Sequence, residues 1–148
     1  MADKIHFVLA LRRTHLDKNT SHLAGEFLAA GELSRRGLGV SIAIGNAKSV
    51  DIVAQSTTVI YRVDAKAVRA KTNWPLNQSS VDKDLIYVFV YLGTAKAIKK
   101  NEPPEYYIVP GSALLNKRLV TTWPKGRSGV TYKTLSQGNY KDDWGIFK

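Results

Sequence analysis

The sequence predicts an α/β domain in which helices flank a mixed central sheet. Three observations carry this prediction. Apolar residues recur at helical spacing over residues 19–36, and short β-rich segments follow between residues 40 and 68. Residues 84–92 are apolar on both strand faces, which is typical of a buried central strand. The alternation of one helix with several strands indicates a mixed sheet.

The first helix is the best-defined element of the sequence. Its apolar stripe consists of Leu23, Phe27, Ala30 and Leu33. Gly37 follows as a stop signal. We expect Glu26 rather than Glu32 to face the sheet, because the flanking Gly25 permits close approach of the helix. The alternative for Glu26 is an ordinary exposed helical glutamate.

The remaining elements follow from β-rich runs and turn signals. In chain order, strands are expected at residues 40–44, 51–54, 57–68, 84–92 and 106–109, with a turn at 45–47 and a second helix at 111–119. The first fifteen residues are compatible with a strand, a helix or an arm.

Length and composition favour one soluble intracellular domain. The chain has 148 residues, 44% of them hydrophobic, which suffices for one core and is short for two. We expect a single domain over residues 1–148, with an irregular basic segment from about residue 120. The absence of cysteine excludes disulfides and a thiol nucleophile and fits a cytoplasmic location. No segment resembles a signal peptide or a membrane span.

Two acids and a lysine interrupt the predicted strands. Asp51 opens one apolar strand, and Asp64 and Lys66 lie two residues apart in the next, so that both point to one strand face. Two carboxylates and an ammonium there would suit a divalent metal and a phosphate, with the carbonyl of Ala65 as a further ligand. The alternatives are a strand-edge aspartate at Asp51 and a solvated ion pair between Asp64 and Lys66.

The net charge of +10 favours a polyanionic partner over mere solubility, because Lys and Arg release counterions when they bind phosphates. Residues 106–141 contain no acid, and their basic residues are Lys117, Arg118, Lys125, Arg127, Lys133 and Lys141. The histidines His6, His15 and His22 show no metal-ligand spacing and are expected to be surface or cap residues.

These residues resemble the PD-(D/E)XK nuclease superfamily, which has the restriction-endonuclease-like fold. The resemblance lies in Gly25-Glu26 within a first helix, Val50-Asp51-Ile52-Val53-Ala54, and Val63-Asp64-Ala65-Lys66. It extends to small uncharacterised bacterial members and to Holliday-junction-resolvase-like nucleases. Two positions depart from the pattern: Val50 stands where the family has Pro, and Asp64 stands where Glu is commoner.

The resemblance implies a restriction-endonuclease-like core of αβββαβ type and hydrolysis of DNA phosphodiester bonds. Glu26, Asp51 and Asp64 would bind Mg²⁺, with Mn²⁺ as a substitute, and Lys66 would be the catalytic lysine. Small nucleases of this fold often cut as homodimers, so a homodimer is expected here. The alternatives are a catalytically silent module that binds nucleic acid or a protein partner, and an accessory protein whose charge is incidental.

Five residues are expected to contact DNA. Arg69, Lys71 and Trp74 directly follow the strand of Lys66, and Lys125 and Arg127 lie in a basic glycine-containing loop. Few groups are arranged for base readout, so the sequence predicts structure-selective or weakly sequence-specific cleavage.

Overall fold

The computed structural model describes residues 18–43 and 50–148. The helices and strands are α1 (Lys18–Arg35), β1 (Gly39–Ile42), β2 (Ile52–Gln55), β3 (Ile60–Val68), β4 (Asn73–Pro75), β5 (Ile86–Tyr91), α2 (Ala95–Lys99), β6 (Glu105–Pro110), α3 (Gly111–Asn116), β7 (Thr121–Trp123), β8 (Arg127–Thr131) and α4 (Tyr132–Gln137). The turn expected at 45–47 and the first fifteen residues lie outside the described residues.

A five-stranded mixed sheet forms the centre of the fold. Its order is β1-β2-β3-β5-β6. Strands β3 and β5 are parallel, whereas the other neighbours are antiparallel. The middle of β5 is buried on both faces, as its apolar sequence predicts. The predicted α/β fold with a mixed central sheet flanked by helices is therefore confirmed.

Helix α1 packs on this sheet through two alanines and a leucine. Ala29, Ala30 and Leu33 of α1 are buried against the sheet. The predicted stripe is wrong at Leu23 and Phe27, which are 42% and 53% exposed. Small side chains let the helix backbone approach the sheet closely, so the buried face is the one that carries them.

The chain leaves α1 as its sequence predicts. Gly37 has φ +92°, a left-handed conformation that glycine adopts without steric cost. The N–H of Leu38 donates to the carbonyl of Leu33 at 3.3 Å and closes the helix end. This reversal leads directly into β1.

A second, three-stranded antiparallel sheet has the order β4-β8-β7, and two of its strands, β7 and β8, lie in the region expected to be irregular. The expectation of an irregular segment from about residue 120 is wrong, because β7, β8 and α4 all fall there. The strands are short, and Gly126 and Gly129 obscure their alternation in the sequence. None of the described helices combines the length and the apolar character of a membrane span.

Candidate metal centre

Close packing of α1 on β3 places Glu26 inside the molecule. A Cβ at Gly25 would overlap the Cβ of Ala67, so the two elements approach closely at this point. The neighbouring Glu26 is consequently 2% exposed. The expectation that Glu26 faces the sheet is therefore met in the structure.

His22 lies one helical turn before Glu26. Its Nε2 is 2.9 Å from Glu26 Oε1, and its side chain is 45% exposed. His22, Glu26 and Asp51 each offer one ligand atom, and these atoms lie within 4.8 Å of one another. The sequence interpretation missed His22. The signal that could have found it is the i, i+4 spacing of His22 and Glu26, which places two potential ligands on one helix face.

Asp51 joins the helix to the sheet. It immediately precedes β2 and is 7% exposed. Its Oδ2 accepts a hydrogen bond from the backbone N–H of Ala65 at 2.9 Å. Because Ile52 is the register partner of Val63, Asp51 lies beside Asp64 one step further along the two strands. Asp51 thus lies close both to Glu26 of α1 and to Asp64 of β3.

Asp64 and Lys66 share one face of β3, while Val63 and Ala65 are buried on the other. Lys66 Nζ donates to both oxygens of Asp64, at 2.7 and 3.0 Å. Burial raises the pKa of Asp64 and outweighs the opposing effect of the Lys66 ammonium, and the nearby Asp51 raises that pKa further. A cation between the two aspartates would relieve their repulsion.

The donor set fits a divalent cation. Two nearly buried carboxylates and an imidazole converge from two elements, and a third carboxylate stands beside Asp51. Carboxylate oxygens are the ligands preferred by Mg²⁺ and Mn²⁺, and an imidazole nitrogen extends the range to Zn²⁺ or Ni²⁺. The carbonyl of Ala65 as a ligand stays a prediction.

Four of the five expected DNA contacts reach solvent. Lys71, Lys125 and Arg127 are exposed and Arg69 is half-buried. Lys71 also contacts other side chains of the protein. Its Nζ lies 3.1 Å from Glu105 Oε1 and about 5 Å above the rings of Tyr91 and Tyr132.

Trp74 corrects the sequence interpretation. Its side chain is fully buried, and its indole N–H donates to the carbonyl of Val90 at 3.1 Å. It packs against Phe89, Tyr107 and Tyr132. A buried indole has no surface to offer to a phosphate or a base, so Trp74 is a core residue that joins the two sheets and not a DNA contact.

Comparison with solved structures shows what this fold resembles. The chain is similar to a structure described as a bacterial homing endonuclease, I-Ssp6803I, with a TM-score of 0.56 and 14% sequence identity. The match covers 88% of this chain and 91% of that one. The chain shares its fold with that endonuclease. No protein-family model matches the sequence, and no curated protein matches it.

Proposed function

We propose that this chain is a PD-(D/E)XK-type nuclease that hydrolyses DNA phosphodiester bonds in a Mg²⁺-dependent reaction. One observation carries the proposal: Glu26 of α1 and Asp51 before β2 present ligand atoms to a common point, and Asp64, with Lys66 two residues on, lies beside Asp51. The order of these residues along the chain resembles the pattern of that superfamily, which supports the proposal. The fold shared with a bacterial homing endonuclease supports the same reaction class.

Glu26 and Asp51 would hold the cation, with Asp64 next to Asp51, and His22 would add an imidazole ligand for ions such as Ni²⁺ or Zn²⁺. A divalent cation there would stabilise the negative charge that develops on the scissile phosphate. Mn²⁺ takes the same oxygen ligands and is expected to substitute for Mg²⁺.

Lys66 would supply a positive charge next to the bound phosphate. Its ammonium is oriented by two hydrogen bonds to Asp64, and its side chain is 26% exposed, so it can reach a bound phosphate. There it would donate to a phosphoryl oxygen or orient the attacking water. The paired Asp64 fixes the position of Nζ before the substrate arrives.

Arg69, Lys71, Lys125 and Arg127 would contact DNA, the first three at the phosphate backbone. Contacts to phosphates position a protein without reading sequence, which agrees with structure-selective or weakly sequence-specific cleavage. The proposal includes a homodimer that cuts two strands and a cytoplasmic location, which the absence of cysteine supports.

Cleavage assays test the proposal. Purified protein is incubated with supercoiled plasmid, linear duplex and a four-way junction, with Mg²⁺, with Mn²⁺ or with chelator. We expect metal-dependent cleavage that falls roughly 100-fold or more in Lys66→Ala. Lys99→Ala, which removes an exposed lysine from α2, is the matched control and should cleave normally.

Two outcomes would contradict the proposed nuclease. Cleavage that survives Lys66→Ala unchanged would come from another site or a contaminant. Metal and DNA binding without cleavage of any substrate would instead identify a catalytically silent nuclease-fold module.

A further inference from the structure

The second sheet presents one face to the core and the other to solvent. Trp74 and Val130 are register partners, and both are fully buried. Side chains of residues next to them along the strands point the opposite way. The outward face therefore carries Asn73 of β4, which pairs with Thr131, and Trp123 of β7, which pairs with Arg127 of β8.

These outward residues line a groove. Its volume is about 430 Å³, and its walls are Asn73, Pro75, Trp123, Arg127 and Ser128. Trp123 is half-buried in this groove, whereas Trp74 and Trp144 are buried in the core. The groove thus combines an aromatic surface, a guanidinium and an amide on three adjacent strands.

Two of the three strands of this face, β7 and β8, carry no acidic residue. They belong to the acid-free residues 106–141. Within the described part of the chain, the cations Arg35, Arg62 and Lys66 are paired with carboxylates. Lys125 and Arg127 form no ion pair with any described residue. A polyanion is the partner whose charge complements this surface.

We propose that the outward face of the β4-β8-β7 sheet enters the major groove of duplex DNA, where Arg127 and Asn73 read base edges. The proposal rests on the nuclease function above. The major groove admits a β-ribbon, and Arg and Asn are the side chains that pair bidentately with guanine and adenine. Trp123 lies beside Arg127 on the neighbouring strand as an apolar surface for a thymine methyl group, and Lys125 in the β7–β8 turn contacts a phosphate.

With two base-reading side chains per chain, the preferred DNA sequence should be short. A contact to one guanine and one adenine distinguishes a few base pairs, which agrees with weak sequence specificity. The face lies on a sheet separate from the one that carries Asp64 and Lys66. Reading and cutting can therefore be tested independently.

The experiment uses the full-length Lys66→Ala protein, so that DNA is not consumed. Selection from randomised duplexes gives the preferred site, and fluorescence anisotropy then compares it with single-base variants. Arg127→Lys keeps the charge but loses the bidentate fork, so discrimination at one guanine should fall roughly 5- to 150-fold with an unchanged salt slope. Asn73→Ala should lower discrimination at one adenine by a similar factor.

Two further variants separate reading from charge. Lys125→Ala should weaken all duplexes equally and reduce the salt slope by about one. Arg35→Ala removes an arginine already paired with Glu32 and should change neither affinity nor preference. Iodide quenching gives an independent readout, because bound duplex should shield Trp123 while the buried indoles contribute little to the change.

The outcomes distinguish this surface from the nuclease proposal itself. If the Lys66→Ala protein binds no duplex even at low salt, the nuclease function fails and this inference with it. If it binds duplex but Arg127→Lys and Asn73→Ala leave the base preference unchanged, only the reading surface is overturned. Loss of a dimer in Trp123→Ala, with DNA preference intact, would also overturn it and assign the face to a second copy of the chain.

Discussion

Gly25 of α1 lies directly against Ala67 of β3, with no room for a side chain between them. This contact brings α1 close enough to the sheet for the carboxylate of Glu26 to come within 4.8 Å of the ligand atom of Asp51. The geometry of the candidate metal centre therefore depends on a residue that carries no functional group.

Replacement of Gly25 by alanine should separate α1 from β3. The added methyl group would overlap Ala67, so we expect the free energy of unfolding to fall by about 1–3 kcal/mol and metal affinity to fall with it. Urea denaturation and calorimetric titration with Mn²⁺ measure the two effects.

Gly31 provides the matched control on the same helix. It is exposed, and a Cβ there would meet nothing within 4 Å. Gly31→Ala should therefore raise stability by up to about 1 kcal/mol through helix propensity and leave metal binding unchanged. Equal effects of the two substitutions would show that the Gly25–Ala67 contact does not position Glu26.

Removal of the charge at Asp51 should weaken metal binding without unfolding the protein. Asn retains an oxygen that can accept the N–H of Ala65, so Asp51→Asn keeps this structural hydrogen bond. We expect Mg²⁺ affinity to fall at least about tenfold in calorimetric titrations. Glu32→Gln removes a glutamate of helix α1 that pairs with Arg35 and Arg36, and this variant should bind Mg²⁺ as the wild type does.

His22 should determine which metals bind. Imidazole is a good ligand for Ni²⁺ or Zn²⁺ and a poor one for Mg²⁺. We expect His22→Ala to lower Ni²⁺ affinity roughly tenfold or more and to change Mg²⁺ affinity little. Parallel titrations with both ions measure this difference. An equal loss for both ions would mean that His22 acts by holding Glu26, 2.9 Å away, and not as a ligand.

The sequence predicts those elements whose local pattern agrees with their final environment. The apolar run of β5 indicates its central place, and the alternation around Asp64 and Lys66 predicts which face of β3 they share. The αL turn at Gly37 follows from residue type alone. In each case the determining interactions are close in sequence.

The features that were mispredicted depend on contacts distant in sequence. Trp74 stands in an apparent loop, and only its packing against β5 and α4 shows that it is buried. Phe27 fits a helical stripe, but the helix turns its small residues to the sheet and leaves Phe27 exposed. His22 belongs to the metal centre because the fold brings Asp51, which is distant in sequence, close to it. No local pattern contains these partners.

Glu105 should make stability depend on pH. Burial alone would raise the pKa of Glu105, but hydrogen bonds from Tyr107, Tyr132 and Lys71 outweigh burial and hold the pKa below its ordinary value of 4.5. The tyrosine hydroxyls donate to Oε2 at 2.6 and 2.7 Å. A carboxyl whose pKa is lower in the folded state stabilises that state above the unfolded pKa. This contribution is lost as pH falls through the folded value.

Glu105→Gln should remove this contribution. At neutral pH we expect the free energy of unfolding to fall by about 1–3 kcal/mol, because charged hydrogen bonds to Lys71 and two tyrosines are weakened. Below pH 4.5 the wild type should lose its advantage and approach the variant. Urea denaturation across this range measures the difference.

Glu102→Gln, which removes an exposed acid nearby in the chain, should show no such convergence. A constant gap between wild type and Glu105→Gln at every pH would show that the glutamate is held through packing and not through its charge.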